Sequence, residues 1–103
     1  MKVLVVLISL LLSSGLHAQQ WFNVNANCQI NAATTRCMAC NYSYNVPIYC
    51  NVNARAVSSY GYWMNNYNQG VVHPGNCIYV YINANNPSVD PLVSGSANAQ
   101  CRF

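Results

Sequence analysis

The groups in this chain that could move a proton or hold a metal are few, and their identity bounds the chemistry. Beyond residue 18 there is one histidine, His73, and one carboxylate, Asp90. Glycoside hydrolysis by a carboxyl pair is therefore excluded. A ribonuclease-like acid and base would need His73 and Asp90 to meet beside an arginine. A Ser-His-Asp triad would need the same meeting with a serine added. No nucleophile elbow accompanies either arrangement. His73 precedes Pro74 and Asp90 precedes Pro91, which reads the two as turn and loop residues and the protein as no enzyme. One histidine builds no zinc site and one acid no calcium cage, so no metal or other cofactor is expected. Arg36, Arg55 and Arg102 are dispersed, not gathered into the basic stripe that nucleic acid demands.

The six cysteines are the other reactive inventory: Cys28, Cys37, Cys40, Cys50, Cys77 and Cys101. Cys37-Met38-Ala39-Cys40, with Arg36 adjacent, has the spacing of a redox pair or of half a zinc site. Compartment decides between these readings and a structural one. Lys2 is followed by an apolar run from Val3 to Leu12, broken once by Ser9, and then by Ser13, Ser14 and Gly15. This is the plan of a secretory signal over 1–18, with cleavage after Ala18 or alternatively after Gly15. The run is far short of the roughly 20 residues that span a bilayer, so no stable membrane anchor is expected. The remainder of the chain, 19–103, reads as one secreted, extracellular, disulfide-rich domain in which all six cysteines are half-cystines. Cys37 and Cys40 read as bonding to different partners, and the sequence does not choose among the possible pairings.

Positioning falls to strands. Phe22 to Ile30, Cys50 to Ala56 and Cys77 to Ala84 alternate with a period of two, the pattern of half-buried strands. In the third segment Ile78, Val80 and Ile82 share one face, and Tyr79 and Tyr81 the other. The fold class is mainly β: a small disulfide-stapled antiparallel β-sandwich or barrel. The alternative is α+β, with short helices near 31–40, N-capped by Asn31, and near 57–69. The second of these stretches reads preferentially as a hairpin turning at Asn65-Asn66. His73-Pro74-Gly75-Asn76 reads as a turn, and 85–98, rich in Ser, Asn, Pro and Gly, as a long surface loop.

The composition then points to a surface. Sixteen asparagines and eight tyrosines accompany a net charge of only +2 over 19–103, three arginines less one aspartate. Outward amides and phenols make a neutral, hydrogen-bonding, aromatic face suited to sugars or to a protein partner. Tyr60, Tyr62, Trp63 and Tyr67, with Tyr79 and Tyr81, are the candidate contact patch. The competing reading has the aromatics filling a small core while the amides keep a low-charge surface soluble. Asn41-Tyr42-Ser43 is a possible N-glycosylation site.

Signal, length, six cysteines and absence of an enzyme motif together resemble the small secreted cysteine-rich proteins of fungi, many of them candidate effectors or toxins. Phe22-Asn23-Val24 leading to Cys28, then Cys37-Met38-Ala39-Cys40 and Tyr67-Asn68-Gln69-Gly70, look similar to segments of crystallin-like plant antimicrobial proteins. That family is one of compact six-cysteine β-sandwiches. The first resemblance implies a non-enzymatic protein that binds a protein or carbohydrate on a cell surface or in a host. The second implies an antimicrobial or toxin acting on walls or membranes. A minimal secreted hydrolase using His73 is the remaining alternative.

Overall fold

Small apolar residues alternate with amides through most of the described chain, residues 20–103 of a computed structural model. The predicted signal, 1–18, lies outside the described residues. Alternation at this period buries one side of a strand and leaves the other in water, and the chain folds into seven such strands. They are β1 (Phe22–Val24), β2 (Ala26–Ile30), β3 (Thr34–Cys40), β4 (Ile48–Ser58), β5 (Trp63–Val72), β6 (Cys77–Asn83) and β7 (Leu92–Arg102). Pairing is antiparallel throughout, in one sheet of order β1-β7-β4-β5 and another of order β2-β3-β6. The protein is mainly β, two packed sheets stapled by three disulfides.

The core between the sheets is built from small side chains. Cys37, Ala39, Val80 and Ile82 of the three-stranded sheet meet Val52, Ala54, Ala56, Leu92 and Ala99 of the four-stranded one. No aromatic ring belongs to the buried core, which corrects the reading in which the aromatics fill it. Approach is close enough that a Cβ placed on Gly95 of β7 would lie 2.7 Å from Cγ2 of Thr35 on β3.

The disulfides are Cys28–Cys37, Cys40–Cys77 and Cys50–Cys101. Each joins residues directly opposite one another on paired strands: β2 with β3, β3 with β6, β4 with β7. Cys37 and Cys40 thus have different partners, and no cysteine is free among the described residues. Because neighbouring positions alternate faces, Cys37, Cys50 and Cys101 are buried in the interior, whereas Cys40–Cys77 lies on the outer face of its sheet.

Three sequence expectations are corrected. No helix forms over 31–40 or 57–69. Asn31 Oδ1 does accept the backbone N–H groups of Ala33 and Thr34, at 2.9 and 2.8 Å, but it closes the β2–β3 hairpin instead of capping a helix. The hairpin joining β4 and β5 turns at Ser58–Gly61, not at Asn65-Asn66. There the Gly61 N–H reaches Ser58 O, and Gly61 takes φ +89°, the left-handed conformation a hairpin turn of this kind needs. Residues 92–98 are strand, not loop: Gly95, Ala97 and Ala99 alternate inward against Ser94, Ser96 and Asn98, and Leu92 is buried ahead of an irregularity in the pairing with β4.

The two edges of the sandwich are closed differently. On one side the chain changes sheets at Asn25, pairing β1 with β7 and then β2 with β3. On the other, the edge strand β5 faces the edge strand β6, and asparagine side chains stand in for backbone pairing. Nδ2 of Asn66 donates to Tyr81 O (2.8 Å) and Nδ2 of Asn68 to Tyr79 O (2.9 Å). Their Oδ1 atoms accept the N–H groups of Tyr67 and Gln69, both at 2.9 Å. Each asparagine thereby occupies an unpaired N–H of one edge and an unpaired C=O of the other. Such edges would otherwise be templates for aggregation.

Candidate binding face

Strand register sets out the exposed side of the four-stranded sheet row by row. Asn23, Gln100, Asn51 and Gln69 face one another across all four strands. The next rows are Asn98, Asn53 and Tyr67, then Ser96, Arg55 and Asn65, then Ser94, Val57 and Trp63. In the other direction Arg102, Tyr49 and Val71 form a row. At ~3.3 Å per residue and ~4.8 Å between strands, the face from Tyr49 to Val57 measures about 26 by 14 Å.

Rings and guanidinium groups occupy the two ends of this face. Arg102 lies over both Trp21 (5.6 Å) and Tyr49 (5.1 Å), whose rings meet edge-on at 6.1 Å. At the far end Arg55 lies 4.8 Å over the ring of Trp63. These distances are within cation–π range and place each guanidinium over its ring. Between the ends is a shallow pocket lined by Asn53, Arg55, Asn65, Tyr67 and Asn98.

Hydrogen bonding divides the asparagines into two groups. Asn31, Asn41, Asn66, Asn68 and Asn86 are engaged in turns and seams. The exposed side chains of Asn53, Asn65 and Asn98 bond to nothing else among the described residues. Asn51 Oδ1 is covered by its neighbours and accepts no hydrogen bond. Three of the amides that line the pocket are therefore unused by the fold, and the fourth, Asn66, is engaged in the seam.

The six aromatic residues singled out from the sequence all lie outside, but on two surfaces. Trp63 and Tyr67, 60% and 65% exposed, belong to the face just described. Tyr60 and Tyr62 are exposed on the β4–β5 hairpin beside it. Tyr79 and Tyr81 stack at 6.4 Å on the outer side of the other sheet, where Arg36 approaches Tyr79 at 5.7 Å and donates to Gln29 Oε1 at 2.6 Å. Sequence reasoning alone does not single out Arg55, Arg102, Trp21, Tyr49, Asn65 or Asn98 for this face. The period-two alternation of 49–55 carries the signal for Tyr49 and Arg55. Asn98 is hidden because its strand has the composition of a loop.

His73 and Asp90 are not brought together. His73 follows the end of β5, in a turn where its carbonyl accepts the Asn76 N–H and Gly75 takes φ +81°. Asp90 Oδ1 accepts the Ser59 hydroxyl (2.9 Å) and the Tyr60 N–H (2.8 Å), just before the start of the same strand. Ten residues of β5 separate the two ends by about 30 Å. Burial raises the Asp90 carboxyl, but hydrogen bonds from the Tyr60 backbone and from Ser58 and Ser59 outweigh it and hold the group below its ordinary value. Asn41 is 3% exposed, and both hydrogens of its amide are engaged by Val46 O and Val72 O. Among the described residues no group of three metal-ligating side chains converges.

No family model matches the chain, and neither a curated protein nor a solved structure matches it.

Proposed function

We propose that this is a secreted, non-enzymatic protein of effector-like type that binds a partner on a cell surface or in a host through the outer face of its four-stranded sheet. One observation carries the reading. The chain builds its core from Val, Ala, Ile, Leu and Cys and leaves Trp63, Tyr67, Tyr60 and Tyr62 in water. Exposed rings of this size cost solvation and solubility, and Tyr and Trp are the residues most enriched where interfaces draw their energy. Three disulfides fit an oxidising, extracellular setting and supply the stability that a core of small residues lacks.

The test is binding of labelled protein to whole cells or extracted surface material, comparing wild type with a Trp63→Ala, Tyr67→Ala double variant. Both residues point to solvent, so the variant keeps its fold and loses most of the binding. Equal binding by the two proteins would place the contact elsewhere.

A further inference from the structure

We infer that the partner of this face is a neutral polysaccharide, laid along β5 and β4 with a sugar ring stacked on Tyr67 over the pocket of Asn53, Asn65 and Asn98. The inference rests on the proposed binding role and specifies its ligand.

The chemistry of the lining selects the class. A pyranose presents an apolar C–H surface, which stacks on an exposed ring, and equatorial hydroxyls that each donate and accept. Amides offer the same double capacity on short arms. Asn53, Asn65 and Asn98 are exposed and carry no internal hydrogen bond among the described residues. A hydroxylated ligand gives them partners, whereas an apolar peptide surface would cover them unpaired at a cost.

Charge narrows the class to neutral chains. The face contains no carboxylate, so a cationic ligand finds no counter-charge. Its two arginines do not converge on one anion. Arg102 aligns with Tyr49, six residues from Arg55 on β4, a separation of about 20 Å. Each guanidinium already lies on a ring.

Geometry favours a chain over a single sugar. The outward positions of β5 run Trp63, Asn65, Tyr67, Gln69, Val71, so ring and amide alternate along the edge strand as far as Gln69. Trp63 and Tyr67 are four residues apart, about 13 Å, which is longer than one sugar ring. The pocket itself is open along the strand and not a closed pit around one residue.

The experiment uses the full disulfide-bonded protein. Sedimentation with insoluble cellulose, chitin, β-1,3-glucan and mannan is followed by calorimetric titration with the matching hexasaccharide and monosaccharide, with heparin as the anionic control. At least one neutral polymer should bind. Its hexasaccharide should bind more tightly than its monosaccharide, and heparin should bind no better. Tyr67→Ala and the Asn53→Ala, Asn98→Ala pair should each weaken binding at least about tenfold, the effect of truncating an interface hot spot, while Tyr81→Ala on the opposite sheet leaves it unchanged. Retention on no neutral polymer, preference for heparin, or indifference to Tyr67→Ala overturns the inference. Cells treated with periodate or with protease separate the two proposals. Binding that survives periodate, is lost on proteolysis and still needs Trp63 and Tyr67 overturns the polysaccharide and keeps the binding face. Binding to no cell surface at all overturns both.

Discussion

Asn41 uses every hydrogen-bonding atom of its side chain inside the fold. Nδ2 donates to Val46 O at 2.8 Å and to Val72 O at 2.9 Å, and Oδ1 accepts the Ser43 N–H and hydroxyl at 3.0 and 2.7 Å. The loop before β4 is thus tied to the end of β5 by one amide. Substitution by alanine removes all four bonds and strands the buried Val72 carbonyl, while Val46 O keeps the Ser43 hydroxyl; the loss should be about 2–4 kcal/mol. Urea denaturation should show the midpoint falling at unchanged slope. A glycan on Nδ2 would disrupt the same bonds, so intact mass of the folded protein should show Asn41 unmodified. In the sequence Asn41 is legible only as the first residue of a sequon. That pattern specifies a possible modification and carries no information about the carbonyls five and thirty-one residues away that engage the amide.

At the scale of elements, the two closures of the sandwich behave differently. The β5–β6 seam depends on Asn66 and Asn68, which remain exposed to water. A partly solvated hydrogen bond contributes ~1 kcal/mol, so the Asn66→Ala, Asn68→Ala double variant should lose roughly 2 kcal/mol. Amide exchange should accelerate most at Tyr67 and Gln69, whose N–H groups the Oδ1 atoms accept. An unchanged exchange rate at both would show that the seam is held by something else. A second tie joins the β4–β5 hairpin to the loop before β7 through Asp90. Its folded carboxyl lies below the ordinary value of 3.8, so the stabilisation is complete above that pH and is lost as pH falls through the lower folded value. Asp90 is the only carboxylate side chain in the sequence. Thermal melts from pH 6 down to pH 2 should therefore show an acid limb that Asp90→Asn largely removes.

The same scale shows which elements are legible in advance. β4 and β6 carry apolar residues on alternate positions without a break, and their inner and outer faces follow directly. Phe22 to Ile30 reads as one strand because alternation passes unbroken through Asn25, where the chain changes sheets; periodicity records faces, not partners. β7 escapes because its inward residues are Gly95, Ala97 and Ala99. Gly95 lies too close to Thr35 for a Cβ, and Ala97 and Ala99 pack with the core; such small groups resemble loop composition. Asn31 misleads for a related reason: an asparagine that accepts N–H groups two and three residues on serves a hairpin as well as a helix. Alternation places the tyrosines of β6 outward correctly, yet nothing local reveals that they face away from Trp63 and Tyr67.

For the whole molecule, the pairing of the cysteines governs what happens when a peptide bond is cut. The spans closed by the bridges run from 28 to 37, from 40 to 77 and from 50 to 101, and the last two overlap. Every turn and loop between Cys28 and Cys101 lies inside at least one covalent ring. A cut at the 31–33 turn, the 41–47 loop, the 59–62 hairpin, the 73–76 turn or the 84–91 loop leaves both fragments joined. The only bonds in that interval whose scission would separate the molecule into two pieces lie between Cys37 and Cys40, in the middle strand of its sheet, where Ala39 is 1% exposed. Limited digestion should accordingly give a single band without reductant and several with it. Between Cys28 and Cys101 the bonds outside every ring thus lie in a central strand, so a molecule nicked at any of these turns stays whole and keeps its outer faces on display.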